Sequence, residues 1–281
     1  MDTLRLSREY KEDVLEEWRE RDKKKRHQWE DLVKEHRFTL RRSAQRLILK
    51  TRVFLSGEFG WPTEKAHKDY IYYAIAGDFF ALRSWLLAYG DNPGVVDHQN
   101  ELDGKTALHI ACQRSDLRMV QHLLLRKAKV NVRDRFGCFP LHYACSKGAI
   151  DCADHLLRVH AQVDGRDKFG VTPLMKAAEI GDADIIDLLL EYAAAPNIKD
   201  KMERWTALHY AAKSGDLECI RSLLKSGADF SLYSLAKQNA QSIALDFDRK
   251  EAAILLGKWR RKKMFPNSKL KLADFDEDLD L

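Results

Sequence analysis

The sequence predicts an all-α chain: a solenoid of repeated helix pairs preceded by one long N-terminal helix. Three observations carry this. A motif returns through the middle of the chain at intervals of 33 to 34 residues. Residues 4–56 contain neither glycine nor proline. Over the 281 residues there are only 14 Gly and 6 Pro, too few for a loop-rich β protein.

Composition narrows the class further. An apolar share of 45% is ample for a buried core and excludes wholesale disorder. No run approaches about eighteen consecutive apolar residues, so no membrane span is expected. The start, MDTLRLSREYKEDVLEEW, mixes acids with bases and has no apolar stretch of the kind a secretory signal needs. Five cysteines, an odd number, point to reduced thiols and an intracellular setting.

The elements follow in order. Residues 1–56 read as a single charged amphipathic helix. At 100° per residue Trp18, Trp29, Leu32, Val33, Leu40 and Leu47 fall on one narrow arc. The other face is charged, with Glu17 and Arg21, Glu20 and Lys24, and Glu30 and Lys34 four residues apart. The stripe needs cover from the solenoid, from a coiled coil or from a larger assembly. A regular coiled coil over the full length is poorly supported, because ERDKKKRHQ between Trp18 and Trp29 has no apolar residue. Gly57 and Pro62 mark the entrance to a nearly neutral region, with 25 bases and 27 acids over residues 56–257.

That region is periodic. Gly104-Lys-Thr-Ala-Leu-His-Ile-Ala-Cys112 returns as Gly137-Cys-Phe-Pro-Leu-His-Tyr-Ala-Cys145, as Gly170-Val-Thr-Pro-Leu-Met-Lys-Ala-Ala178 and as Arg204-Trp-Thr-Ala-Leu-His-Tyr-Ala-Ala212. Ser115, Gly148, Gly181 and Gly215 fill one turn position, followed by the pairs Leu123-Leu124, Leu156-Leu157, Leu189-Leu190 and Leu223-Leu224. Asn131, Asp164, Asn197 and Ser231 close each unit. These units resemble the ankyrin-repeat family: a T-P-L-H-x-A helix, a turn, a second helix with a Leu-Leu pair, and a hairpin-like loop. The resemblance implies an ankyrin solenoid at residues 66–256 with about five or six repeats, best matched over 103–232. Tyr70–Gly90 is a degenerate first repeat followed by about five inserted residues, and Ser242–Leu256 a worn capping repeat. Residues 257–281 then form a charged tail. KWRRKKMFPNSKLK has seven bases and no acid, and LADFDEDLDL has five acids and no base.

Catalytic readings fail on the residues. Gly104-Lys105-Thr106 imitates the end of a phosphate loop, but Gln99 stands where a glycine is required. His109 with Cys112 and His142 with Cys145 share a zinc-like spacing. His209, however, recurs without a cysteine, and Met175 replaces the histidine in another unit. The resemblance makes this histidine structural, bonding toward the neighbouring unit. No enzyme activity, cofactor or metal is expected.

A candidate partner-binding surface recurs at the loop tips. Arg133, Arg166 and Lys199 form one basic row, and Arg135, Lys168 and Lys201 a second. Beside them run Phe136, Phe169 and Met202, with Trp205 at the mouth of the next unit. Tyr143, Lys176 and Tyr210 occupy the variable helix position. Rows of like charge repel, and a fold gains nothing evident from repeating them, which favours a binding surface with aromatic and arginine anchors. The expected function is a non-catalytic scaffold or adaptor. The tips and concave face would grip a protein with an acidic segment, and the N-terminal helix would dock on a second surface. The setting would be cytoplasmic, with a cytoskeletal or ciliary assembly as one reading. The alternative is a nuclear or nucleic-acid-associated cofactor working through Arg260–Lys263 and the basic N-terminal helix. Nucleic acid is the less favoured partner.

Overall fold

The computed structural model describes residues 64–89 and 96–264. The helix expected over residues 1–56, with Trp18, Trp29, Leu32, Val33, Leu40 and Leu47, and the acidic end at 272–281 lie outside the described residues. The chain divides into two units, Met1–Ser56 and Gly57–Leu281, and all the described residues belong to the second.

Among the described residues every regular element is a helix, and the helices come in pairs. The pairs are α1 (Glu64–Ala76) with α2 (Phe79–Tyr89), α3 (Ala107–Gln113) with α4 (Leu117–Leu125), and α5 (Pro140–Ser146) with α6 (Ile150–Arg158). They continue with α7 (Pro173–Ile180) and α8 (Ala183–Glu191), α9 (Ala207–Ser214) and α10 (Leu217–Lys225), and α11 (Ala240–Asp246) and α12 (Lys250–Met264). Odd-numbered helices stack on one another as an inner layer, and even-numbered helices as an outer layer. Between the layers runs one apolar core from Tyr70 to Leu256. No single pair could bury both its helices. Stacking supplies the missing half of each interface.

The period is written in the backbone. Each inner helix hands over to its outer partner through a residue of positive φ: Gly77, Ser115, Gly148, Gly181, Gly215 and Asp248. The outer helices then start cleanly, because Asp116, Asp182 and Asp216 accept hydrogen bonds from the Met119, Ile185 and Cys219 amides. Pro140 and Pro173 stand at the first positions of α5 and α7, where the missing N–H costs nothing. The residues that close each unit also tie it to the next. Asp97, Asn131, Asp164 and Asn197 accept from the amides of Lys129, Gln162, Ala195 and Asp229 at 2.7–3.0 Å.

The C-terminal end differs from the sequence expectation. The last helix continues past residue 256 to Met264, so Lys258 and Arg260–Lys263 are helical and do not form a tail behind a cap. Gly257 sits buried inside α12. A β-carbon there would lie 2.8 Å from the Gln241 side chain, so its smallness admits the close crossing of α11. Three bases in the last turn, Arg261, Lys262 and Lys263, favour the helix end through its dipole.

Candidate partner-binding face

Three of the hairpin tips are built around a buried carboxylate, and the last around a buried hydroxyl. Asp134 Oδ1 accepts from the Phe136 and Cys138 amides at 2.8 and 2.9 Å. Asp167 Oδ1 does the same for Phe169 and Val171, both at 2.9 Å. Asp200 holds the Glu203 amide at 2.9 Å, and Ser234 holds Gln238 at 3.1 Å through its hydroxyl. The turn then closes through a left-handed residue, Gly137, Gly170, Arg204 or Lys237. At Gly137 and Gly170 a side chain is excluded twice over. Their φ values are 78° and 80°, and an added β-carbon would lie 2.8 Å from the Lys168 amide nitrogen or 2.9 Å from Lys201 Cγ.

Consecutive tips are joined by backbone hydrogen bonds. The amides of Arg135, Lys168, Lys201 and Leu235 donate to the carbonyls of Asp103, Phe136, Phe169 and Glu203 at 2.8–3.0 Å. These bonds fix the register and correct one expectation. Met202 is not the third member of the row begun by Phe136 and Phe169; Glu203 holds that backbone position. The loop between Asp200 and Trp205, which closes with Asp200 donating to the Trp205 carbonyl, has one residue more than the loops 134–138 and 167–171. The loop between Asn100 and Lys105 closes in the same longer way. Met202 and Leu102 are the extra residues.

The basic rows have structural work of their own. The aliphatic stems of Arg135, Lys168 and Lys201 cover Gly104, Gly137 and Gly170. Arg135 donates to the Leu102 carbonyl at 3.1 Å, and Lys201 Nζ to the Lys168 carbonyl at 3.4 Å. In the other row, Lys199 Nζ reaches the Tyr233 carbonyl at 3.3 Å, and the Arg133 guanidinium lies 4.9 Å from the centre of the Phe139 ring. Arg166 is exposed. A long basic side chain at these tips therefore helps to pack one unit on the next, and its recurrence alone does not require a ligand.

The apolar row is different. Phe136 is 52% exposed, Phe169 49% and Met202 59%, and the tips on either side expose Leu102 at 85% and Leu235 at 58%. Sequence reasoning missed those two. Each sits two residues before the left-handed position of its tip, as Met202 does, whereas Phe136 and Phe169 sit one before. Five successive tips thus each present one large apolar side chain to solvent.

On the inner helices the predicted side chains are mostly engaged. The Tyr143 hydroxyl donates to Asp134 Oδ2 at 2.6 Å, and the Tyr210 hydroxyl to Asp200 Oδ2 at 2.8 Å. Burial, then those carboxylates, push both phenols well above their ordinary value. Lys176 pairs with Glu179 at 3.0 Å. Trp205, half-buried, meets the Tyr210 ring edge-on with centroids 5.3 Å apart. Lys213 Nζ lies over both Trp205 and Phe247, at 5.7 and 5.3 Å, a contact the sequence did not suggest.

The recurring histidines act as clasps. His109 Nδ1 accepts from the Thr106 amide at 3.1 Å, which leaves Nε2–H to donate to the Cys138 carbonyl of the next unit at 3.1 Å. His142 repeats this with the Phe139 amide and the Val171 carbonyl, both at 3.1 Å. Both ring nitrogens are occupied and cannot also bind a metal. Burial, as the largest cause, lowers the basicity of both rings. All five cysteines are free thiols, and burial raises each of them, Cys152 to about 11. Among the described residues no group of His, Cys, Asp or Glu is arranged to hold a metal ion, and no helix is long and apolar enough to cross a membrane.

Comparison with known proteins agrees with this architecture. The family model for ankyrin repeats (3 copies) matches residues 71–167 and 154–234, together more than half of the chain. No curated protein matches it. Paired helices at a 33-residue period, clasped by histidines and joined tip to tip, make this chain a member of the ankyrin-repeat family.

Proposed function

We propose that the chain is a scaffold or adaptor that holds an acidic, extended polypeptide along its hairpin tips and concave face, while its N-terminal segment docks on a second surface. Ankyrin repeats mediate protein–protein interaction, and the family is typically a non-catalytic interaction domain. The observation that carries the finer reading is the apolar row. Five successive tips each expose one large apolar side chain, Leu102, Phe136, Phe169, Met202 and Leu235, 49–85% open to solvent. They run beside exposed bases, so a ligand with alternating acidic and apolar residues fits both rows. A cytoplasmic place in a cytoskeletal or ciliary assembly suits a chain with two docking surfaces.

One observation favours a second reading. Arg260, Arg261 and Lys262 are exposed on the last turn of α12, as a nuclear or nucleic-acid-associated cofactor would require. Salt-dependent binding of DNA or RNA by the full chain would support it; nuclear exclusion in cells would oppose it.

The test of the first reading is charge reversal of Arg135, Lys168 and Lys201 together, with helicity and melting temperature as folding controls. Exposed ion pairs contribute about 0–1 kcal/mol each, so binding of an acidic peptide should weaken about tenfold and lose much of its salt dependence. Phe136→Ala with Phe169→Ala should chiefly raise the dissociation rate. Unchanged recovery of partners from cells after the triple reversal would mean that the tips are only a solvated edge.

A further inference from the structure

The exit of the chain from its last helix lies on the tip side of the solenoid. Lys263, one residue before the end of α12, places its Nζ 5.6 Å from the centre of the Phe230 ring. Phe230 belongs to the segment that leads from α10 into the Ser234–Lys237 tip. The neighbouring Asp229 carboxylate is held below its ordinary value, first by hydrogen bonds from Ser231, with the charges of Lys263 and Lys199 adding to them. The described chain therefore ends beside the segment that leads into the last tip.

We propose that residues 272–281, LADFDEDLDL, are the resident ligand of the tip edge, occupying the tips from Lys237 back toward Lys168 and masking them until a competing acidic partner displaces the segment. The proposal rests on the tip reading above and adds its regulation. Reach permits it. Residues 265–271 extend to about 25 Å and residues 272–281 to about 33 Å, while stacked helix pairs repeat at about 10 Å. The acidic segment can thus lie across about three tips.

Pattern favours it too. In an extended chain alternate residues face opposite ways. Asp274, Asp276, Asp278 and Asp280 then form one edge, and Phe275, Leu279 and Leu281 lie on the other, with Leu272 and Glu277 breaking the division. The three tips offer both kinds of side chain, the exposed bases Lys168, Lys201 and Lys237 and the exposed apolar Phe169, Met202 and Leu235, although at the last tip Leu235 takes the backbone position of Lys168 and Lys201, and Lys237 that of Gly170. Five acids in ten residues meet an edge whose exposed charge is mostly basic, which selects this segment over the basic stretch that precedes it.

A synthetic LADFDEDLDL peptide, titrated into the full chain and into a chain ending at Lys271, tests this. A tether of this length gives an effective concentration of about 1 mM, so against an intrinsic affinity of about 0.1 mM the peptide should bind the truncated chain about tenfold more tightly. Replacing the four tail aspartates by asparagine within the full chain should give the same gain. Equal affinity for full and truncated chains would overturn the masking while leaving the tip reading intact, provided the Arg135, Lys168 and Lys201 reversal still weakens binding to the truncated chain about tenfold. Binding that ignores the reversal, or no binding to the truncated chain, would remove both. Masking that is relieved on dilution would place the tail on a second copy, and the intramolecular proposal would fall.

Discussion

Acidification should loosen the solenoid at His209 before the usual carboxylates titrate. The ring sits at the junction of α9 with the last repeat, its Nδ1 accepting from the Thr206 amide at 3.1 Å. Its Nε2 faces the Gln238 carbonyl without closing a hydrogen bond, so the clasp that His109 and His142 make is slack here. Burial lowers its pKa from 6.5 to about 4. The sign follows from proton linkage. Below about 6.5 the unfolded chain takes up a proton that the folded chain refuses, so stability falls with pH through the window down to about 4 and is level beneath it. At about pH 5 the loss is about 2 kcal/mol for this ring alone. The assay is urea denaturation of the parent and of His209→Gln at about pH 7 and about pH 5. His109 and His142 titrate in both proteins and cancel in the comparison. The variant should start less stable but lose about 2 kcal/mol less on acidification. Equal losses in the two proteins would show that His209 is not buried as a neutral ring.

Three further substitutions test the tips. Gly170→Ala should cost about 2 kcal/mol or more, because its left-handed backbone and the Lys201 stem both oppose a β-carbon. Arg204→Gly at the equivalent position, where φ is 57°, should gain about 0.5–1 kcal/mol; thermal melts that rank the two the other way would contradict the strain account. Tyr143→Phe removes the hydroxyl that donates to Asp134 at 2.6 Å and should cost about 1 kcal/mol in urea melts, with faster amide exchange at Phe136 and Cys138. Unchanged exchange there would mean that the tyrosine does not brace the tip.

Much of the fold was legible in the sequence because each ankyrin unit is a local object. The helix starts at Pro140 and Pro173, the left-handed turns at Gly148, Gly181 and Gly215, and the Leu-Leu pairs all lie within one repeat, and recurrence multiplies the signal. The clasping role of His109 and His142, a contact between units, was implied by the resemblance to the family and not by the residues alone. What only the tertiary structure decided depends on contacts between units. Met202 looked like the partner of Phe136 and Phe169 until the hydrogen bond from Leu235 to Glu203 set the register, since an extra loop residue changes alignment without changing composition. The basic rows looked redundant until their stems were seen to cover Gly104, Gly137 and Gly170 on the preceding tip, across about 33 residues of chain. Gly257 lies inside the last helix at a crossing point, and only the structure shows the neighbour that approaches it, Gln241. Sequence periodicity determines the unit, since its helices and turns are short-range; the stacking of units determines the surface, since every exposed tip is defined by the tip beside it.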